Sequence, residues 1–335
     1  MENLKQINIA FSFDYNYYRQ GVVAISSLLD VSPGISYNIY CLISTDVTPD
    51  VQEEITQIVH KKSPQSSITY INMEDKFEQA FEIRGISKAS YYRLMLHRLV
   101  PVDKIIYSDV DVLFQKSLEE INRIDMEPYY WGGVNAITIN TESYRKELCQ
   151  TYDYWNTELK NIGKNYKNGG FLILNLKKWR EANLDEKIIE MSTKNYYFQD
   201  QDIINILFVD KQSEVLNLPP QWNYTFARNT FDQQELQKHN ISQEEYKETM
   251  NNIAMIHYTG LKPWNDKKVP FANKWWSYVK KETPYYSYFK KRYEKLVNEQ
   301  RHFEYRYHFL GIDILSKQQK NNKNIYRILG FKVAI

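Results

Sequence analysis

Short apolar runs alternate with amphipathic ones along most of this chain. Residues 7–13 (INIAFSF) have the pattern of a buried strand, and residues 21–29 (GVVAISSLL) that of a helix packed on it. Residues 37–43 (YNIYCLI) and 68–71 repeat the strand pattern. Between them, 49–61 reads as a helix, with Thr48 at the cap position and Pro49 opening the first turn. Residues 90–99 (SYYRLMLHRL) read as a helix stopped by Pro101. Its core face is Tyr91, Leu94, Met95 and Leu99, with Arg93 off that face. A buried strand follows at 104–107, then an apolar strand within 129–136 that contains Gly132 and Gly133. Residues 144–159 read as a helix, and 168–176 as a glycine turn entering a buried strand. Another helix is expected over 177–194, and a short one over 203–208 behind the acids Asp200 and Asp202, which suit its dipole. Residues 219–223 form a rigid Pro-Pro loop, and 253–256 a last apolar strand that ends at His257. Strands alternating with helices predict an α/β fold with a mostly parallel sheet. Ligands are then expected at the carboxyl ends of the strands.

The end of the chain has a different pattern. Residues 307–315 (YHFLGIDIL) match 326–334 (YRILGFKVA) position by position in residue type, joined by a linker rich in Lys and Asn. The expected division is a main domain over 1–282 and an appendage over 283–335.

Candidate chemistry sits after the fourth strand, at Asp109-Val110-Asp111. In extended chain, residues two apart project to one side, so both carboxylates can aim at one point. Two adjacent anions repel unless a cation lies between them, and a divalent metal satisfies that need. Two solvated acids at a strand end are the other reading. The opening strand–loop–helix resembles half a nucleotide-binding unit, but it has no Gly-x-Gly-x-x-Gly and no P-loop, which disfavours a dinucleotide cradle.

Charge changes the picture in one place. The net charge of +2 gives no bulk electrostatic case for nucleic acid. From residue 285 to the end, however, eleven Lys/Arg face four Asp/Glu, a net of +7, which leaves −5 elsewhere. Aromatic residues make up 15% of the chain, a supply suited to sugar-like ligands. Only Cys41 and Cys149 occur, so no disulfide framework is implied and a reducing cytoplasm fits. The amino terminus lacks a secretory apolar region, and no run is long enough to span a bilayer.

Six stretches, in order, resemble glycosyltransferase family 8, the retaining sugar-nucleotide transferases of GT-A fold. They are FSFDYNY (11–17), YYRL (91–94), SDVDVL (108–113), NGGFLILNLKKWR (168–180), FQDQDIIN (198–205) and HYTGLKPW (257–264). The nearest likeness is to bacterial enzymes that extend lipopolysaccharide or lipooligosaccharide with galactose or glucose. The resemblance implies a GT-A nucleotide-sugar-binding domain that moves a hexose from a UDP-sugar to a cell-surface glycan, with retention. It implies that Asp109, Asp111 and His257 hold Mn2+, with Mg2+ as the alternative, against the donor diphosphate. Val110 lies between the two acids in the same donor-facing segment. Asp14 and Asn16 match positions that touch uridine, Tyr17 one that stacks on uracil, and Ser12 a small residue whose backbone reads the base. Arg93 matches a basic residue near the donor. Asn168 and Gly169 match positions along the donor sugar, and Gly260 and Lys262 positions that contact the diphosphate. Asp200 and Gln201 match the residues nearest the reacting sugar and are the candidate catalytic pair.

There are departures from the family pattern. Two residues, Leu261 and Lys262, separate Gly260 from Pro263, where relatives often have one more. Gly85 stands where some relatives carry a histidine. Val134-Asn135-Ala136 lacks an acid that some relatives have there. A lipid-linked acceptor further implies peripheral contact with the inner face of the cytoplasmic membrane. The tail charge, Trp275, Trp276 and the tyrosines from 285 to 307 suit such an interface. The rival is a small paired-strand cover on the catalytic domain. Two other function classes stay open. A strand followed by Asp-x-Asp also opens haloacid-dehalogenase phosphatases, although a downstream Gly-Asp-x-x-x-Asp is missing. A non-catalytic sugar-nucleotide or glycan-binding module is the second.

Overall fold

A computed structural model describes residues 6–73, 77–83, 87–225, 241–301, 303–309, 312–320, 323–328 and 331–334, and from 299 onward the backbone alone. Gly85 and the Leu-Gly pairs of the repeat, at 310–311 and 329–330, lie outside the described residues. The chain forms two compact units, Met1–Thr259 and Gly260–Ile335.

In the first unit, strands β1 (Gln6–Phe13), β2 (Ser36–Ile43), β3 (Ser67–Asn72), β4 (Lys104–Ser108), β6 (Trp131–Asn135), β7 (Lys167–Asn175) and β8 (Val215–Asn217) form one sheet, with β5 (Val112–Phe114) outside it. The order is β3-β2-β1-β4-β7-β6-β8. β1 runs parallel to β2 and β4, and β2 to β3. β7 runs antiparallel to both its neighbours, β4 and β6. The register pairs Phe11 with Ser108 and Phe13 with Ile43, so β1, β2 and β4 finish side by side. Because β7 is reversed, it brings its amino end, residues 167–170, to that same edge.

The helices cover this sheet for legible reasons. Pro49–Lys62 buries Val51, Ile55 and Val59, one every four residues, and carries Asp50 in its first turn and Lys61 and Lys62 in its last. Thr48 stands at its N-cap, but its hydroxyl makes no capping bond. Tyr18–Asp30 is buried on nearly every side, which its run of small and apolar residues allows.

Several elements differ from the sequence reading. Residues 88–95 form a 3-10 helix, followed by one α turn at Leu96–Leu99. Every residue from Tyr91 to His97 is buried, so the stretch is enclosed on all sides and Arg93 is buried rather than off the core face. The helix expected over 144–159 is Glu142–Thr151, ended before a separate turn at Asp153–Trp155. The helix expected over 177–194 is two, Leu176–Glu181 and Asp185–Ser192, divided at Asn183 in a left-handed conformation (φ 48°). Gly169 and Gly170 are not in a turn but inside β7.

A second sheet joins β5 to β9 (Tyr224–Thr225) and β10 (Met255–His257), in the order β5-β10-β9. The chain therefore crosses between sheets at Asp109–Asp111. His257 lies within β10, in register with Val112.

The second unit holds helices Ala272–Glu282 and Tyr286–Arg301 and an antiparallel meander of β11 (Phe303–Phe309), β12 (Ile312–Lys320), β13 (Lys323–Ile328) and β14 (Phe331–Ala334). Each copy of the repeat thus falls across an adjacent strand pair. Trp275 and Trp276 are buried, which removes them as interfacial anchors. Trp275 packs edge-on against Phe289 at 4.8 Å between centroids, and Trp276 Nε1 donates to the Pro263 carbonyl at 2.9 Å. Among the described residues, no helix is long and apolar enough to cross a membrane.

Candidate active site

Asp109, Asp111 and His257 are brought together by two strand ends. β4 stops at Ser108, the chain bends through Asp109-Val110-Asp111, and β5 carries it to the second sheet. The convergence of the acids therefore comes from a bend, not from extended alternation. β10 lies beside β5 and delivers His257, whose Nε2 is 3.2 Å from Asp111 Oδ1 and 3.8 Å from Asp109 Oδ2. One ligand atom from each of the three lies within 4.8 Å of the others. Val110 is buried beneath the bend.

Gly170 is what lets the histidine and the acids meet. Its carbonyl accepts from Asp109 N at 2.9 Å. A Cβ there would come within 2.8 Å of both Asp109 Oδ2 and His257 Nδ1, so only glycine fits this close approach.

The hydrogen bond at His257 Nδ1 follows from an ordered row of amides. Backbone N–H groups can only donate, and two of them anchor the row. Gly170 N donates to Asn168 Oδ1 at 2.9 Å, and Gly169 N donates to Gln201 Oε1 at 2.9 Å. These bonds set which end of each amide is oxygen. Asn168 Nδ2 accordingly donates to Gln201 Oε1 at 3.0 Å, and Asn223 Nδ2 to Asn168 Oδ1 at 2.8 Å. Asn223 is left with its oxygen facing His257 Nδ1, at 2.7 Å. Nδ1 therefore donates to Asn223, and Nε2 faces two carboxylates. Two carboxylate oxygens and one imidazole nitrogen aimed at one point fit a divalent cation.

Arg93 closes the other side of the site. Its Nη2 lies 2.9 Å from Asp109 Oδ1, and its Nε lies 2.9 Å from Asp200 Oδ2. The Nε–H itself points to the Ser90 carbonyl at 2.8 Å, so the contact with Asp200 is ionic rather than a directed hydrogen bond. Nη1 donates to the Gly169 carbonyl. Burial alone would lower the Arg93 pKa. Asp109 and Asp200 outweigh that and hold it above its ordinary value. Burial pushes the Asp200 carboxyl up to about 6 against the pull of Arg93, with Asp109 adding to the rise. The guanidinium also lies 4.4 Å from the centroid of the Tyr107 ring. Tyr107 donates to Asp109 Oδ1 at 3.1 Å, and its oxygen lies 2.6 Å from Ser12 Oγ. Ser12 is thus tied to Asp109 through its side chain.

Gln201 and Asp202 open the helix Asp200–Leu207, which docks on β7. Asn205 accepts from Lys167 N at 2.8 Å and donates to the Lys167 carbonyl at 3.0 Å, which staples helix to strand. Gln201 Nε2 lies 3.3 Å from Tyr166 OH, and that hydroxyl donates to Asp202 Oδ1 at 2.6 Å. Asp202 also receives Tyr154 OH and Phe198 N; burial nevertheless raises it to about 6. The cap residue Gln199 is buried with φ 51°, a strained conformation for a non-glycine, beside Asp200 and Gln201. Lys167 is buried on two amide oxygens, Asn135 at 2.7 Å and Asn217 at 3.3 Å, and burial lowers it to about 8. The neutral Asn135, in the segment that lacks an acid, is thus the partner of a buried lysine.

At the end of β1, Asp14 accepts from Tyr17 N at 3.0 Å and shapes the loop before the first helix. Asn16 is exposed and Tyr17 half-buried. Gly260 and Lys262 belong to the second unit. Gly260 has φ 71°, which favours glycine, and the Lys262 carbonyl accepts from Asn265 N at 2.9 Å.

Asn223, Tyr107, Tyr166, Asp202 and Asn205 were not singled out from sequence. The Pro-Pro loop flagged Asn223's segment and the Gln-Asp-Gln-Asp run flagged Asp202. Nothing local marked the two tyrosines, Tyr107 within β4 and Tyr166 just before β7, until their hydroxyls found partners.

A mixed sheet with one reversed strand, and acids at a strand end facing a histidine from a second small sheet, make up the GT-A glycosyltransferase architecture. The solved structure of galactosyltransferase LgtC, in complex with donor and acceptor sugar analogues, superposes with a TM-score of 0.68 at 23% identity, over 85% of this chain and all of that one. Residues 8–268 match the family model described as glycosyl transferase family 8. The chain belongs to glycosyltransferase family 8, and the phosphatase reading of Asp109-x-Asp111 falls. Its relatives include a lipopolysaccharide 1,2-glucosyltransferase of Escherichia coli K12, 27% identical over 87% of this chain and 85% of that protein. General stress protein A of Bacillus subtilis is 26% identical over 82% of this chain and 93% of that protein.

Proposed function

We propose that this transferase moves a hexose, galactose or glucose, from a UDP-sugar to a cell-surface glycan such as lipopolysaccharide, with retention of configuration. The observation that carries the reading is the convergence of two carboxylates and Nε2 of His257 beside Gly170. Asp109, Asp111 and His257 are the residues that would hold Mn2+, or Mg2+ in its place. A divalent ion there supplies Lewis-acid neutralisation of charge on the departing diphosphate. The names of the lipopolysaccharide-acting relatives support the acceptor class.

The chain's own groups do the rest. Asp14, Asn16, Tyr17 and Ser12 hold the uridine end, and Gly260 and Lys262 the diphosphate. Arg93 balances Asp109 and Asp200, and Asp200 orients sugar hydroxyls. Asn168 and Gly169 line the sugar. Gln201 is the polar group nearest the reacting carbon. Its oxygen already accepts two hydrogen bonds, which makes it a poor nucleophile. A front-face reaction, in which acceptor and leaving group share one side of an oxocarbenium-like sugar, asks instead for positioning and charge stabilisation. The catalytic domain is taken as 1–282 and the appendage as 283–335. The enzyme works in the cytoplasm, peripheral on the inner membrane face. The tail charge of +7 supports this, as do Arg306, Arg327 and Lys332, which share one cross-strand row through Ser316.

The test is a UDP-sugar panel read as UDP release, with Mn2+ or Mg2+ and then with chelator. Release from UDP-galactose or UDP-glucose that stops with chelator is the expected result. No release from any hexose donor overturns the reading, leaving a binding module. Release indifferent to chelator overturns its metal dependence.

A further inference from the structure

Asn223 stands in the short turn Pro220–Asn223 (PQWN), is 2% exposed, and belongs to neither of the two acid motifs. We propose that Asn223 is a positioning residue that holds His257 in its metal-binding tautomer and joins the metal centre to the sugar-side residues Asn168 and Gln201. The proposal rests on the metal reading of Asp109, Asp111 and His257.

The argument is one of hydrogen-bond parity. A neutral imidazole carries one N–H and one lone pair, and whichever nitrogen meets an acceptor keeps the proton. With a cation between Nε2 and the carboxylates the imidazole is neutral, and Nδ1, which meets Asn223 Oδ1 at 2.7 Å, keeps the proton and leaves the lone pair on Nε2, the nitrogen that faces Asp109 and Asp111. Asn223 cannot turn over at no cost. A flipped amide would set its NH2 against the Nδ1 proton and its oxygen against Asn168 Oδ1, now 2.8 Å from Nδ2. Asn168 is held in turn by Gly170 N, and Gln201 by Gly169 N. The tautomer of a ligand on β10 is therefore dictated by two backbone donors of β7, relayed through one buried asparagine. Partners of this kind outside the ligand set tune metal affinity by about 10–100-fold.

The relay makes opposite demands on the two ends of Asn223, and substitution can separate them. Asn223→Ala removes both the acceptor for Nδ1–H and the donor to Asn168. Asn223→Asp keeps an acceptor for His257 but sets oxygen against Asn168 Oδ1. Mn2+ binding is measured by electron paramagnetic resonance on the full chain with saturating UDP, which contains no sugar to turn over. The expected result is about a tenfold or larger loss of Mn2+ affinity in Asn223→Ala and a change under about threefold in Asn223→Asp. The aspartate variant instead loses kcat with a donor sugar, through Asn168 and Gln201. Wild-type Mn2+ affinity in Asn223→Ala overturns the proposal, as does an equal loss in both variants, which is what a merely structural residue gives. Wild-type protein that binds no Mn2+ overturns this proposal and the metal reading together. Nitrogen-15 spectra of His257 in the wild-type Mg2+–UDP complex test the tautomer without any variant. A proton on Nδ1 agrees, and a proton on Nε2 overturns the proposal.

Discussion

The charges at the site are few, buried and mutually dependent. A buried guanidinium costs several kcal/mol unless it is paired. Arg93 meets that cost with Asp109 on one side and Asp200 on the other. Losing Asp109 or Asp111 removes an anion that no neighbour replaces. Changes outside the ligand set cost about 10–100-fold, so loss of a direct ligand in Asp111→Asn or Asp109→Asn should lower transfer by about 100-fold or more. The folded state should survive, as read by an unchanged circular-dichroism spectrum. Full activity in either variant contradicts metal-dependent transfer. Gln201 makes a different demand, because its contacts are to Asn168, Gly169 and Tyr166, the first two proposed to line the donor sugar. Gln201→Ala should lower kcat by about 10²–10³-fold, the usual loss for one positioned polar group, while UDP binding stays near wild type. Calorimetric titration with UDP checks the second half. A variant that keeps its rate and loses UDP affinity places Gln201 elsewhere.

Strand β7 does more than carry apolar residues through the sheet. Its amino end supplies four residues in succession: Lys167 meets Asn135, Asn168 and Gly169 both meet Gln201, and Gly170 meets Asn168. Gly170→Ala places a methyl group against Asp109 and His257. The strain should cost about 1–3 kcal/mol of stability and displace both proposed metal ligands. Thermal unfolding and Mn2+ titration measure the two effects, and wild-type metal affinity in this variant contradicts the packing argument. Lys167 tests burial through pH. Its folded-state value is lowered to about 8 from an ordinary 10.5, so between those values the unfolded chain binds more protons. Stability from this group is therefore full above pH 10.5 and lost as pH falls through 8. Wild-type protein should gain about 2 kcal/mol between pH 8 and 10 relative to Lys167→Met, in urea unfolding at both pH values. Parallel curves for the two proteins contradict a lysine held charged against burial.

For the whole chain, the open question is what the basic tail does. Phe289 is fully buried against Trp275, so a cut before it opens the core of the second unit. A chain ending at residue 301 keeps that cluster and removes six Lys/Arg and two Asp/Glu, a net of +4. Each basic residue near an anionic surface contributes roughly 1 kcal/mol, and the screening length falls from about 10 Å at 0.1 M salt to 3 Å at 1 M. The full chain should co-sediment with anionic liposomes at low salt and leave them at high salt, and the shortened chain should bind more weakly. A full chain that stays in solution at low salt contradicts peripheral attachment.

The alternation of apolar runs was enough for the α/β class, because strand and helix periods are local and each needs a buried face. Six short motifs in order were enough for the family, since residues in one site recur together. The direction of β7 was not local. Its run of apolar residues reads the same either way, and only pairing with β4 and β6 reverses it. The burial of Arg93 was hidden for a similar reason: the choice between 3-10 and α period in residues 88–95 is a small energy that tertiary packing outweighs. The glycines at 169 and 170 looked like a turn because glycine is common in turns. They lie in a strand, where Asp109 and His257 crowd Gly170 and Arg93 and Gln201 lie against Gly169. Asn223 and Tyr107 carry polar groups whose partners lie far along the chain, 34 residues away for Asn223 and 95 for Tyr107's contact with Ser12. A hydrogen bond between distant residues leaves no periodicity to read, so their roles emerged only when the sheets brought the strand ends together.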